Sequence, residues 1–254
     1  MEKVYLVRVS EIFLKGKNRP FFQKALLRNI RACLQANNII AEVINKHNRI
    51  IIKSDQNCLC LKNVFGIANI SKGVIIPADF MLLKKTIKSF WGGKPFVIET
   101  RRIDKSFSLS SLEISKEIAG FLGGDVSFKD YKEWFGVEID SDEFFVFTEK
   151  IQCYDGLPLG TNGSVGVFVQ DENSLKAAWL VMRRGCNVIL FGMDIDITRL
   201  KQFSYGCQVR KQGSIPKDIS AIVVNDTLDN LRDYDFNLPV FRPLVGCFEE
   251  VPVS

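Results

Sequence analysis

Hydrophobic residues recur with two different periods over the first third of the chain, and the changes of period mark six elements. Val4 to Val9 alternates apolar and polar positions, as a strand with one buried face does. Apolar residues then recur at helical spacing from Phe21 to Leu34, after a Pro20 that suits a first helical turn. The later elements are predicted as strands 39–44 and 49–53, a short helix 59–65 and a strand 67–76. This order of strands and helices is the ferredoxin-like plan.

The next segment mixes helical and strand periods. Lysines alternate with apolar positions at helical spacing from Asp79 to Phe90, and the pair Gly92-Gly93 predicts the end of that helix. Ser110-x-x-Glu113 fits a capping box and predicts the start of a second helix. The strands predicted around these helices are 96–100, 137–139 and 144–148.

The last segment has the pattern that opens an α/β domain. Gly156 to Gly163 contains three glycines and one proline and predicts a connector. A buried strand is predicted from Val165 to Val169, followed by a polar loop and an amphipathic helix from Leu175 to Arg184 that Gly185 ends. The remaining elements are predicted as strands 187–191, 219–224 and 238–246 and helices 197–203 and 226–231.

The loop after the first strand of such a domain is where nucleotide phosphates usually bind. Glycines there let backbone N–H groups approach a phosphate, and the following helix N-terminus adds positive potential. Here the loop contains no glycine, and Asp171 and Glu172 would repel ATP unless a metal ion bridged them. We therefore predict a degenerate nucleotide loop formed by Gln170, Asp171, Glu172, Asn173 and Ser174.

Positive charge is concentrated at one end of the chain. Residues 1–94 carry 17 Lys and Arg against 5 Asp and Glu, a net charge of +12, whereas residues 95–150 and 151–254 carry −5 and −2. Such an excess favours a surface for a polyanion, either nucleic acid or an acidic membrane. A solvated basic surface with no partner is the alternative.

Composition narrows the remaining choices. Hydrophobic residues make up 46% of the chain, yet no stretch is apolar for long enough to span a membrane, and the N-terminus has no secretory pattern. The seven cysteines form no CxxC pair, which favours reduced thiols and a cytoplasmic location. No metal site is expected, and the only histidine, His47, is interpreted as a turn residue.

Several stretches together resemble the tRNA 4-thiouridine synthetases, which also pass sulfur to the thiazole of thiamine. Arg8-x-x-Glu11 followed by Leu14-Lys-Gly-Lys-Asn-Arg19 is similar to their N-terminal signature. The stretch from Val97 to Phe107, with Ser110 and Glu113, resembles the RNA-binding THUMP module. The connector resembles the linker of the family. The pyrophosphatase (PP-loop) domain of the family is similar to three further stretches, residues 182–185, 227–231 and 238–244.

The resemblance implies a mixed α/β (α+β) chain of three parts. These are a ferredoxin-like domain at 1–76, a THUMP domain at 77–152 and a reduced, Rossmann-like PP-loop domain at 164–254 after a linker at 153–163. A family-style THUMP boundary would start near residue 58. Family members use ATP and bind tRNA, so tRNA is the expected partner, and a homodimer is compatible with the family.

Two departures from the family pattern bear on catalysis. The phosphate loop of the family has the form Ser-Gly-Gly-x-Asp-Ser, and both glycines are missing at the aligned positions, where Leu175 takes the last Ser place. The chain stops before the region that holds the catalytic cysteine of the family. Neither Cys207 nor Cys247 lies in a matching motif, so no catalytic residue is assigned, and no cofactor is expected although the family uses ATP.

The preferred hypothesis is a tRNA-binding protein of this family that lacks its own ATP pyrophosphatase activity. An active tRNA sulfurtransferase whose sulfur or catalysis comes from a partner protein is the second hypothesis, and a structural or small-molecule-binding α/β protein with no RNA role is the third. For Arg101 and Arg102 the alternative is a structural ion pair with Asp104 or Glu113. The predicted phosphate contacts are Lys15, Lys17, Arg19, Arg101, Arg102 and Lys105.

Overall fold

A computed structural model describes residues 1–46, 49–247 and 250–253. The turn that contains His47 lies outside the described residues. The chain forms two compact units that interleave in sequence: the first contains Met1–Arg8, Ile39–Cys58 and Asn69–Gln152, and the second contains Val9–Asn38, Leu59–Ala68 and Cys153–Ser254. The helices are α1 (Arg19–Ala36), α2 (Phe80–Phe90), α3 (Ser111–Leu122), α4 (Asn173–Arg183) and α5 (Thr198–Lys201). These units group residues by spatial contact, so they do not test the domain ranges predicted from the sequence, which remain predictions.

One seven-stranded sheet forms the framework of the first unit. Its strand order is β2-β3-β1-β4-β7-β6-β5, and every neighbouring pair is antiparallel except β5 with β6. Four strands from the predicted ferredoxin-like segment and three from the predicted THUMP segment thus share one hydrogen-bonded sheet. The strands are β1 (Glu2–Arg8), β2 (Glu42–Lys46), β3 (Arg49–Lys53), β4 (Asn69–Pro77), β5 (Phe96–Arg102), β6 (Glu133–Ile139) and β7 (Glu143–Gln152).

Successive residues of the central strands face opposite sides of this sheet. Phe144 and Val146 of β7 pack in the core that includes Leu83 of α2 and Ile114 of α3. The helices begin where their caps predict: the Asp79 carboxylate accepts two backbone N–H bonds of α2, and Ser110 and Glu113 form the predicted capping box of α3. The other side carries a second apolar cluster, whose buried members are Val4, Leu6, Ile51, Ile75, Phe145 and Phe147.

The second unit contains a five-stranded parallel sheet in the order β10-β9-β8-β11-β12. Helix α4 joins β8 to β9 and buries the apolar side that its spacing predicts, including Leu175, Ala178 and Met182. Outside β8 and β9 the strands are only two residues long, so the later part of this unit is mostly irregular. The strands are β8 (Ser164–Val169), β9 (Asn187–Gly192), β10 (Arg210–Lys211), β11 (Ile222–Val223) and β12 (Val240–Phe241).

The connector predicted from its glycines is an ordered part of the second unit. Leu157 N–H donates to the Arg183 carbonyl, and Gly160 N–H donates to the Gly185 carbonyl, so the connector is fixed to the end of α4. The Asn29 amide of α1, which is buried, donates to the Leu159 carbonyl at 3.1 Å. Hydrogen bonds therefore hold α1, the connector and α4 in one unit.

Candidate nucleic-acid interface

Three of the predicted phosphate contacts, Lys15, Lys17 and Arg19, lie at the entry to α1. The structure shows 3-10 turns over Glu11–Asn18 that bend at Gly16, whose φ of +49° suits glycine. Lys17 is exposed, and the side chains of Lys15 and Arg19 are half-buried. We call this segment, residues 11–19, the basic turn.

Aromatic and aliphatic side chains accompany the cations of the basic turn. The Arg19 guanidinium lies 4.3 Å from the ring centroid of Phe13, and Lys15 Nζ lies 5.2 Å from that of Phe22. Phe13 is 46% exposed and Leu14 is 86% exposed. Phe22 is buried, so the exposed ring beside these cations is that of Phe13. A cation beside an exposed ring is the combination that contacts phosphates and stacks on unpaired bases.

Two contacts hold the start of the basic turn against the rest of the second unit. Arg184 Nη1, just after α4, lies 2.8 Å from Glu11 Oε1, and the Ser10 hydroxyl donates to Asp155 Oδ2 at 2.5 Å. Glu11 thus uses its charge internally, and the turn presents mainly its basic residues to solvent. The anchors fix the backbone from which Lys15 and Lys17 project.

The other three predicted contacts, Arg101, Arg102 and Lys105, lie at the end of β5 in the first unit. Arg101 and Lys105 are exposed. Arg102 Nη1 lies within 3.1 to 3.4 Å of three backbone carbonyls, those of Lys105, Phe107 and Leu109. Arg102 therefore holds the loop between β5 and α3, a structural role that differs from the ion pair considered from the sequence.

Arg101 also borders a charged pocket that the sequence did not predict. The pocket has a volume of about 270 Å³, and Arg8, Lys150 and Trp134 line it together with Glu99 and Glu138 among others. The Trp134 ring lies over Gly136, where a Cβ atom would collide with it. The first unit thus places three cations and one indole around a space large enough for a small polar group.

A buried carboxylate organises the cations beside this pocket. Glu138 is 3% exposed and is paired with Arg8, at 3.0 Å, and with Arg49. Burial, and then the neighbouring charge of Arg101, lowers the pKa of Arg49 to about 10. The two guanidinium groups also lie 5.7 and 5.4 Å from the ring centroids of Phe147 and Phe145. The sequence singled out Arg8 only as part of the Arg8-x-x-Glu11 signature and gave no sign of its pairing with Glu138.

In the second unit, the loop after β8 lies at the topological switch point of the parallel sheet. Strand β8 has β9 on one side and β11 on the other, and ligands of such sheets usually bind at the carboxyl ends of these central strands. Here the Ser174 hydroxyl accepts hydrogen bonds from Gln170 N–H and Asp171 N–H, at 3.1 and 3.5 Å. Asp171 Oδ1 accepts from Asn173 N–H at 2.7 Å and from the Asn225 amide at 2.6 Å. The loop therefore uses these amide groups internally.

A second polar cluster follows β11 at the same end of the sheet. The Asp226 carboxylate is fully buried and accepts hydrogen bonds from the Tyr234 hydroxyl at 2.7 Å, Arg232 N–H at 3.1 Å and Arg242 Nε at 3.1 Å. Burial alone would raise the pKa of Asp226, but these hydrogen bonds together lower it below its ordinary value. Asp226 is thus an ionised carboxylate that the protein itself neutralises.

Within residues 1–46, 49–247 and 250–253, no group of three His, Cys, Asp or Glu side chains is arranged to hold a metal ion. The same ranges contain no helix that is both long enough and apolar enough to cross a membrane.

Comparison with known proteins relates this chain to one protein family. The ThiI ferredoxin-like domain matches residues 4–71. A probable tRNA sulfurtransferase of Alkaliphilus metalliredigens is 35% identical over 206 residues, which cover 74% of this chain and 52% of that protein. One from Thermotoga maritima is 32% identical over 72% of this chain and 50% of that protein. The chain is a relative of the tRNA sulfurtransferases. It spans about half the length of these curated relatives.

Solved structures support the same relationship. The crystal structure of PH1313 from Pyrococcus horikoshii superposes with a TM-score of 0.84 at 28% identity, covering 97% of this chain and 95% of that chain. A 4-thiouridine synthetase in complex with RNA and bound ATP gives a TM-score of 0.64 at 30% identity, over 75% of this chain and 53% of that chain. The mixed α/β fold with a ferredoxin-like N-terminal region is therefore confirmed.

Proposed function

We propose that this protein binds tRNA as part of tRNA modification and does not carry out ATP pyrophosphatase chemistry itself. The observation that carries the RNA part is the basic turn, where Lys15, Lys17 and Arg19 lie beside exposed apolar side chains. Relatives with the same N-terminal region are tRNA sulfurtransferases, and one solved relative is an RNA complex. A cytoplasmic location is part of the same proposal.

The assignment of phosphate contacts can be tested by charge reversal. Changing Lys15, Lys17 and Lys105 to Glu together removes three cations, and each lost phosphate contact should lower the slope of log affinity against log salt by about 0.7–0.9. The slope for tRNA should therefore fall by about 2–3, with weaker binding at low salt. The matched control reverses Lys201, Arg210 and Lys217, which are exposed in the second unit. Equal affinity and slope for the triple variant and the wild type would refute these contacts.

The proposal that the protein lacks ATP pyrophosphatase activity is based on the loop after β8. Its Gln170 and Asp171 N–H groups donate to Ser174, and the Asp171 carboxylate adds negative charge where phosphates would lie. Isothermal titration with magnesium ATP should therefore show no saturable binding at millimolar nucleotide. Saturable binding with a micromolar Kd would contradict this part of the proposal while leaving tRNA binding intact.

The alternative is an active tRNA sulfurtransferase that works with a partner supplying sulfur or catalysis. The relatives favour this alternative, since the proteins that match 72–74% of this chain are named probable tRNA sulfurtransferases. Pyrophosphate release from ATP that requires tRNA and a sulfide source would support this alternative. Under the proposed function, ATP should release no more pyrophosphate with the protein than in the same mixture of tRNA and sulfide without it.

A further inference from the structure

Two cysteines meet in the second unit although 26 positions separate them in the sequence. Cys33 lies in the last turns of α1, and Cys60 lies in the 3-10 turn Leu59–Asn63, which packs beside that helix. Their sulfur atoms are hydrogen-bonded to each other. Cys33 is fully buried and Cys60 is half-buried, so reagents reach Cys60 first.

Polar groups surround this pair. The Asn37 amide lies 3.9 Å from Cys33 Sγ and 3.4 Å from the Tyr205 hydroxyl. The Tyr205 hydroxyl is itself hydrogen-bonded to Cys33. The two thiols therefore lie in a small hydrogen-bonding cluster, where a charged sulfur would have partners that an apolar core lacks.

The thiols differ in how readily they ionise. The hydrogen bond from Cys33 lowers the pKa of Cys60, against an opposing effect of burial. Burial instead raises the pKa of Cys153, Cys186 and Cys207. Because the thiolate is the reactive form, Cys60 is the better nucleophile at neutral pH than these three.

We propose that Cys60 and Cys33 form a site of thiol–disulfide exchange with low-molecular-weight disulfides such as oxidised glutathione. The Cys60 thiolate attacks one sulfur of the reagent, a mixed disulfide forms, and the other half leaves as a thiolate that takes up a proton. Cys33 then loses its proton, attacks Cys60 Sγ and releases the second half as a thiol. Two protein thiols are oxidised and one reagent disulfide is reduced to two thiols. This site is independent of the proposed tRNA function.

The product would be a disulfide between α1 and the turn Leu59–Asn63. The native protein is treated with oxidised glutathione at neutral pH, remaining thiols are blocked, and peptides are mapped by mass spectrometry without reduction. We expect a peptide that links Cys33 to Cys60 in the wild type. In Cys33→Ser, Cys60 should instead retain a glutathionyl group, because the second thiol is missing.

Controls separate this proposal from general thiol reactivity. Cys207→Ser, which removes another half-buried thiol of the same unit, should still form the link. In the wild type, alkylation of Cys60 by iodoacetamide should be severalfold faster than alkylation of Cys207, a comparison that needs no variant. Equal rates at Cys60 and Cys207, or glutathione on Cys60 with no link to Cys33 in the native wild type, would overturn the proposal.

Discussion

Substitution of Asp226 by Asn tests whether the polar cluster after β11 stabilises the second unit. Asn keeps the shape of the side chain but removes the negative charge that Arg232 and Arg242 share. Asp226 is fully buried, so the two arginines would face a neutral amide without a compensating charge. The Tyr234 hydroxyl could still donate to the remaining oxygen.

The magnitude follows from these contacts. A hydrogen bond to a charged group contributes about 1.5–3 kcal/mol, and breaking a fully buried pair costs about 3–5 kcal/mol. The side chains of Arg232 and Arg242 are 42% and 31% exposed, so solvent screening reduces the loss. We expect the free energy of unfolding of the second unit to fall by about 2–3 kcal/mol, or its Tm by about 5–10 °C.

Urea unfolding, followed by the fluorescence of the buried Trp179 of this unit, measures the change. Asp229→Asn, an exposed substitution in the turn that follows, should change stability by less than about 0.5 kcal/mol. Since the pKa of Asp226 is lowered in the folded state, its contribution is present at neutral pH and is lost as the pH falls through that value. Asp226→Asn should therefore show the weaker acid dependence. A loss below about 0.5 kcal/mol would refute the argument.

Two further predictions concern other buried groups. Glu138→Gln should destabilise the first unit by about 3 kcal/mol in urea, because Arg8 and Arg49 lose their buried partner. The control Glu149→Gln on β7, at a side chain that is 52% exposed, should cost less than about 0.5 kcal/mol. Equal effects of the two substitutions would contradict this prediction. Burial raises the pKa of Cys153 to about 12, so its alkylation at pH 8 should be slow until urea unfolds the protein. Because the folded pKa is the higher one, stability should fall as the pH rises toward 12. Rapid alkylation of native Cys153 would show that the thiol is not buried.

Local signals predicted the regular elements well. The capping box at Ser110 and Glu113 predicted the start of α3, and the helical spacing from Leu175 predicted the buried side of α4. These elements follow from short-range patterns, in which each residue reports on neighbours within one or two turns. The strand predicted over 219–224 is only Ile222–Val223, and the helix predicted over 226–231 is a 3-10 turn at Leu228–Asn230.

Side-chain hydrogen bonds explain why the end of the chain was harder to predict. Asp226 binds backbone and side-chain groups as far away as Arg242, and these contacts fix a loop that has no repeating pattern. The same limit applies to the sites. Sequence showed that the loop after β8 lacks glycine, but not that Ser174 accepts from its N–H groups.

Long-range pairing explains the features of the sites that the sequence did not predict. Glu138 meets Arg8 from a position 130 residues away, and no local pattern around either residue indicates the other. The role of Arg102 also depends on the path of the loop to Leu109, which no spacing rule fixes. The basic turn was predicted from its charge and from its resemblance to the N-terminal signature of the family, because neither signal needs a distant partner. Its contact with phosphates stays a prediction.

The most direct test of tRNA binding uses this 254-residue chain and labelled tRNA across a salt series, with a duplex RNA as competitor. We expect binding that weakens steeply with salt and prefers tRNA to the duplex, because we propose that the basic turn contacts phosphates beside exposed apolar side chains. Absence of binding even at low salt would contradict it, since the net charge of +12 over residues 1–94 would then serve another purpose.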